Sequence, residues 1–124
     1  MKILQKILIT TGGLLFVLFG IFHLFFWKMF DWKNELSKLS ITNSNIMQML
    51  NIGCSFIVLS LAYILLFHRK DIINEKLGKP VLIMSGLFYF IRMVMEFAFP
   101  EGSLVFAILM FFISLIYIVP ALIK

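Results

Sequence analysis

The amino-acid sequence predicts an all-α protein: a transmembrane four-helix up-down bundle with a short amphipathic interfacial helix after the first span. Three observations carry that expectation. The first is composition. Of 124 residues, 62% are hydrophobic and 14% charged, whereas soluble domains sit near half and a quarter. A chain this short cannot hide so much apolar surface in one water-facing core, because small domains bury the smallest fraction of their surface. The second is length. Four apolar runs, 7–27, 46–67, 80–99 and 104–123, each hold about 20 residues, enough for a helix to cross hydrocarbon ~30 Å thick. The third is periodicity. The run Gly13-Leu14-Leu15-Phe16-Val17-Leu18-Phe19 has no strand-like alternation. Lipid satisfies no backbone polar group, which leaves helices as the spanning form.

Each element has its own local reason. Lys2 and Lys6 precede the first run as in a signal peptide. That run is longer than a typical signal core, and no small-x-small cleavage motif precedes His23, so it is expected to stay as a helix. Between Lys28 and Asn45 lies the longest connection. In it Trp32, Leu36 and Leu39 recur at helical spacing with charges between them, the pattern of a helix lying on a membrane surface. Trp27 and Trp32 suit the headgroup zone. Thr42-Asn43-Ser44-Asn45 offers N-cap candidates for the second span. The second connection, His68 to Lys79, is basic and ends at Gly78, with Pro80 opening the third span. The last connection is a tight turn at Pro100-Glu101-Gly102. No repeat, low-complexity tract or second domain interrupts residues 1–124.

Charge sets orientation here. The net charge is +5, but the basic residues sit between apolar runs and form no contiguous patch, so no nucleic-acid partner is expected. Lys2, Lys6, Arg69, Lys70, Lys76, Lys79 and Lys124 fall on one side; Lys28, Lys33 and Lys38 fall on the other. That bias puts both termini in the cytoplasm. A single cysteine, Cys54, forms no internal disulfide and no CxxC pair, which excludes four-helix thiol-redox membrane enzymes. Cys54 itself is expected to be a small buried residue. Abundant Phe, Ile, Lys and Asn fit an AT-rich genome and weaken arguments from aromatic abundance.

Ionisable groups inside a span are costly, ~2.5–3.5 kcal/mol each on insertion scales, and point by default to function. This chain has three, His23 in the first run and Arg92 and Glu96 in the third. The directions of the spans put them at similar depth near the outer side, together with Gln48 and Asn51 of the second. Ser85, Tyr89, Arg92 and Glu96 share one helical face, as do Gln48, Asn51 and Ser55, and Gly20, His23 and Trp27. Ser103 and Tyr117 contribute from the fourth span. The expected site is an inward-facing polar cluster of His23, Asn51, Arg92 and Glu96, flanked by Gln48 and Tyr89. Such a cluster either fixes helix register or works: Arg92 would hold an anionic or carbonyl group while His23 or Glu96 moves a proton. The residues leave both open.

No cofactor or metal is expected. His23 and His68 lie at opposite ends of their spans, so one haem iron cannot take both. Met29, Met47, Met49, Met93 and Met95 near the outer side would suit Cu(I) with His23, but methionine in an apolar chain is ordinarily packing material. Gly13 and Gly20, seven apart, suit a helix-packing seam.

Gly20-Ile21-Phe22-His23-Leu24, Phe30-Asp31-Trp32-Lys33 with Leu36 and Leu39, Asn51, and Phe88-Tyr89-Phe90-Ile91-Arg92 together resemble small uncharacterised bacterial four-helix membrane proteins. Size and helix count are also distantly similar to those of DoxX-like proteins. The resemblance implies fold and a bacterial inner-membrane location, and no activity. Small multidrug transporters differ in carrying a membrane-embedded Glu in helix one, where this chain has His23. The expected function is that of a binding or accessory subunit whose outer-leaflet pocket accepts a lipid, a quinone or a partner helix. A small transporter working as a homo-oligomer, and a membrane enzyme with a His/Glu/Arg site, are the alternatives.

Overall fold

The computed structural model describes residues 2–123; Lys124 of the charge tally lies outside them. Described residues form α1 (Lys2–Leu24), α2 (Phe26–Met29), α3 (Trp32–Glu35), a 3-10 turn (Leu36–Lys38), α4 (Ile41–Phe67), α5 (Arg69–Asn74), α6 (Gly78–Ala98) and α7 (Leu104–Leu122). Helices α1, α4, α6 and α7 hold 23, 27, 21 and 19 residues and are long and apolar enough to cross a membrane. They run up, down, up and down. One end of the bundle carries α5 and the chain ends (the terminal end). The other carries the α1–α4 connection and the α6–α7 turn (the loop end). Helix α1 packs on both α4 and α7, α6 packs on α7, and α5 closes the terminal end beneath α1 and α6.

The surface is that of a multi-pass membrane protein. Phe56, Phe97 and Met49 are 71%, 68% and 68% exposed, a disposition that only hydrocarbon tolerates at this density. Accessible surface totals 8435 Å² against the roughly 6,800 Å² of a compact soluble monomer of this mass. The protein is therefore an elongated bundle with apolar walls.

Three glycines decide how the helices meet, and each uses the same device. A Cβ on Gly20 would lie 2.5 Å from Leu59, one on Gly86 2.4 Å from Ile118, and one on Gly12 2.6 Å from the Tyr117 ring. Only a missing side chain permits those approaches. Each close approach then brings a hydroxyl from the facing helix onto the glycine's own carbonyl. Ser55 Oγ donates to Gly20 O at 2.7 Å, Ser114 Oγ to Gly86 O at 2.8 Å and Tyr117 OH to Gly12 O at 2.7 Å. The three clasps fix α4 on α1, α7 on α6 and α7 on α1. Gly13 extends the first seam: its Cβ would meet Leu66 at 2.7 Å, so Gly13 and Gly20 face Leu66 and Leu59 at matching seven-residue steps. At the terminal end Gln5 Nε2 donates to Pro120 O at 3.2 Å, and Arg69 Nη1 to Thr10 Oγ1 at 2.6 Å.

The centre is aromatic. Tyr89 and Tyr117 stack with ring centroids 5.4 Å apart, and Phe16 lies 5.4 and 4.9 Å from them. Phe19 meets Tyr89 edge-on at 5.1 Å. All of Phe16, Tyr89 and Tyr117 are fully buried.

Element boundaries differ from the sequence expectation in places, each for a local reason. Helix α4 starts at Ile41 because Ser40, not Thr42–Asn45, is its N-cap: Ser40 Oγ accepts from Asn43 N at 3.2 Å. Helix α6 starts at Gly78, where a Cβ would meet the Ile72 carbonyl oxygen at 1.8 Å, so Pro80 falls within the first turn. Helix α1 ends at Leu24, and Trp27 belongs to α2. The interfacial helix is one turn, α3, plus the 3-10 turn. Asp31 enters it with φ 47° and ψ 47°, a left-handed conformation that Asp tolerates better than most residues. Asn34 Nδ2 donates to Asp31 Oδ2 at 2.7 Å and holds that entry.

Candidate functional site

At the loop end the predicted polar residues separate into two groups. The first lies between α1 and α4. Near the end of α1 the backbone carbonyls lose their helical partners, and Asn51 Nδ2 supplies one by donating to His23 O at 2.8 Å. The Asn51 side chain leaves Oδ1 buried without a partner. His23 Nδ1 lies 2.8 Å from Phe19 O. A carbonyl only accepts, so Nδ1 carries a ring proton, and in the neutral imidazole Nε2 is then an acceptor. That Nε2 faces Cys54 Sγ at 3.7 Å, hence the thiol donates to it. Phe26 stacks on the imidazole at 4.6 Å, with the planes 27° apart.

The second group lies at the α6–α7 turn. Arg92 Nη1 and Glu96 Oε1 form an ion pair, with side chains 42% and 10% exposed. Glu96 Oε2 accepts from Ser103 N at 2.9 Å. Ser103 is in turn the N-cap of α7, its Oγ accepting from Phe106 N at 3.3 Å. Gly102 fits beneath: a Cβ there would strike the Glu96 carbonyl oxygen at 1.6 Å. Glu101 holds φ 60° in the same turn. A recess of about 430 Å³, lined by Arg92, Met95, Glu96, Phe99, Pro100, Glu101 and Gly102, opens here.

Among the described residues, no hydrogen bond or ion pair joins His23 or Asn51 to Arg92 or Glu96. Of the flanking pair, Gln48 turns onto its own helix, donating to Ser44 O and Oγ at 3.2 Å. Tyr89 sits in the aromatic centre. Its hydroxyl is buried outside hydrogen-bonding geometry. Cys54 corrects the expectation of a buried packing residue: it is only partly buried and meets His23. The signal for it was present, since Asn51 and Cys54 are three apart and share the face that Asn51 presents to α1. Among the described residues no three His, Cys, Asp or Glu side chains gather as a metal-holding group.

A further recess lies outside the residues expected to form a site. Phe26, Phe30, Trp32, Glu35, Leu36, Leu39 and Met47 line about 590 Å³ between α2, α3, the 3-10 turn and the start of α4. Trp32 and Leu36 form its buried floor at 5% exposure each. Phe26 meets Trp32 edge-on at 5.8 Å and Phe30 at 4.9 Å. One carboxylate, Glu35, stands on the lining, paired with Lys38 Nζ at 2.6 Å. The periodicity of Trp32, Leu36 and Leu39 marked this stretch as amphipathic. The same apolar face that was expected to meet lipid lines a recess shared with α2 and α4. Its volume lies within the range of small-molecule sites, and its apolar lining with a single charged pair is typical of them.

No protein-family model, no curated protein and no solved structure matches this chain.

Proposed function

We propose that this protein is a non-catalytic binding subunit of a bacterial inner membrane, and that its loop-end recess takes the hydrocarbon chain of a lipid-like amphiphile. The recess itself carries the reading. Its floor and walls are aromatic and aliphatic, its volume is about 590 Å³, and Glu35–Lys38 stands where a head group would leave it. Lys28 and Lys33 flank the same segment and favour an anionic or zwitterionic head group. Orientation follows from charge: Lys2, Lys6, Arg69, Lys70, Lys76 and Lys79 lie at the terminal end, against Lys28, Lys33 and Lys38 at the loop end, which favours cytoplasmic termini. The recess then belongs to the outer leaflet. A proton-moving role for Glu96 beside Arg92 finds less support, because both Glu96 oxygens are engaged, one by Arg92 and one by the Ser103 amide.

Native mass spectrometry of the protein released from lipid nanodiscs tests the reading. A single retained amphiphile is expected on the wild type, and its loss is expected with Leu36→Trp, which fills the floor. Equal retention by both, or none by the wild type, contradicts it.

A further inference from the structure

A third recess lies along α4. Met49, Leu50, Gly53, Cys54, Ile57 and Phe88 enclose about 310 Å³ between α4 and α6. Nothing fills the space beside Gly53, where an added Cβ would meet no atom within 4 Å. Met49, Leu50 and Ile57 are 68%, 68% and 57% exposed, so the recess is entered from the bilayer. Cys54 is among the residues that line it, and its Sγ lies 3.7 Å from His23 Nε2. The imidazole is in turn held by the Phe19 carbonyl at 2.8 Å and by the Phe26 ring at 4.6 Å. Nucleophile, base and a group orienting the base thus stand in sequence, the arrangement that activates a thiol.

We propose that Cys54 and His23 form a covalent capture site for membrane-borne α,β-unsaturated carbonyl compounds, with Cys54 as nucleophile and His23 as general base. The apolar lining admits a hydrocarbon-bearing electrophile and excludes water-borne ones. In hydrocarbon the neutral thiol–imidazole pair is the resting form, because an isolated charge there is expensive. As Sγ bonds to the β-carbon, the thiol proton passes to Nε2 and the C=C electron pair moves onto the carbonyl as an enolate. The imidazolium then returns that proton to the enolate, leaving a saturated carbonyl joined to Cys54 by a thioether. The sum is addition of S–H across C=C, with no oxidant, reductant or leaving group. Two sources share this chemistry: an enal derived from an oxidised acyl chain, and a quinone with an unsubstituted ring carbon, which ends as a hydroquinone thioether.

The chain has one cysteine, so thiol adduct is the part of the adduct mass that a C54S control loses, which sets aside addition to Lys and His side chains. In nanodiscs, nonenal and menadione supply the two sources, and adduct formation is followed by intact mass. Two variants separate activation from mere exposure. H23F keeps an aromatic ring against Phe26 and removes the base. The C54S/I52C double variant moves the thiol to a lipid-facing position, 62% exposed in the wild type, without an imidazole. Wild type is expected to react roughly 100-fold faster than either variant, the low end of a general-base contribution. A faster reaction with nonenal alone or menadione alone identifies the source. Rates of C54S/I52C equal to wild type with both reagents overturn the proposal, whether or not H23F folds. Failure of this test leaves the lipid-binding recess untouched, since the two recesses share no lining residue and the deciding variant, C54S/I52C, alters none of the residues lining the loop-end recess.

Discussion

Gly86→Ala probes the clasp between α6 and α7. The new Cβ would stand 2.4 Å from Ile118 Cγ1 and 3.2 Å from Ser114 O, where ordinary contact begins at 3.4 Å. The helices must therefore part locally by about 1 Å, or Ile118 must leave its rotamer. Parting stretches the Ser114 Oγ–Gly86 O bond from 2.8 Å to about 3.8 Å, beyond hydrogen-bonding range. Overpacking costs ~1–3 kcal/mol, and an interhelical hydrogen bond in a membrane is worth ~0.6 kcal/mol on average. Alanine's better helix propensity offsets ~0.8–1 kcal/mol. The net expectation is a loss of ~1–3 kcal/mol. Reversible unfolding in mixed micelles, followed by circular dichroism, measures it. Ile118→Ala removes the clashing carbon, so the Gly86→Ala/Ile118→Ala pair should be better than additive by ~1 kcal/mol or more. A Gly86→Ala variant more stable than wild type would show that propensity outweighs packing here and refute the clasp.

Other perturbations address the remaining contacts. Tyr117→Phe keeps the ring stack and removes the bond to Gly12 O, and should cost ~0.6 kcal/mol and no more than ~1.7 kcal/mol in the same unfolding assay. Glu96→Gln retains an acceptor for the Ser103 amide whereas Glu96→Ala does not, so hydrogen exchange at Ser103 should accelerate in the alanine variant and stay near wild type in the glutamine one. Ser40→Ala removes the N-cap of α4 and should cost ~1 kcal/mol, with faster amide exchange confined to the helix's first turn.

The spans were legible because bilayer thickness sets a length that apolar runs must meet, and 46–67, 80–99 and 104–123 fall within α4, α6 and α7 to within a few residues. Rotation about each helix axis was not, because it is set by which glycine meets which neighbour. Gly13 and Gly20 turn one side of α1 to α4, and that turns the His23 ring onto Cys54. Gly86 faces α7, and Arg92, six residues on, is turned about 120° from it at 100° per residue. Lying toward the same end of the bundle thus did not bring imidazole and guanidinium into one hydrogen-bonded group. The Arg92–Glu96 pair was readable from its spacing of four, but its bond to Ser103 depends on how the α6–α7 turn folds back. The recess over Trp32 escaped prediction because a hydrophobic stripe does not say whether lipid or another segment covers it.

Trp32 offers the most direct view of the loop-end recess, since it floors the site and the chain's other tryptophan is Trp27. In a Trp27→Phe background, fluorescence of Trp32 is titrated in vesicles with an amphiphile brominated along its chain, kept at low mole fraction. A chain seated against the indole predicts saturable quenching at one amphiphile per protein, abolished by Met47→Phe narrowing the recess. Quenching that rises linearly with the brominated fraction, indifferent to that substitution, would mean that Trp32 senses only bulk lipid and that the recess holds nothing.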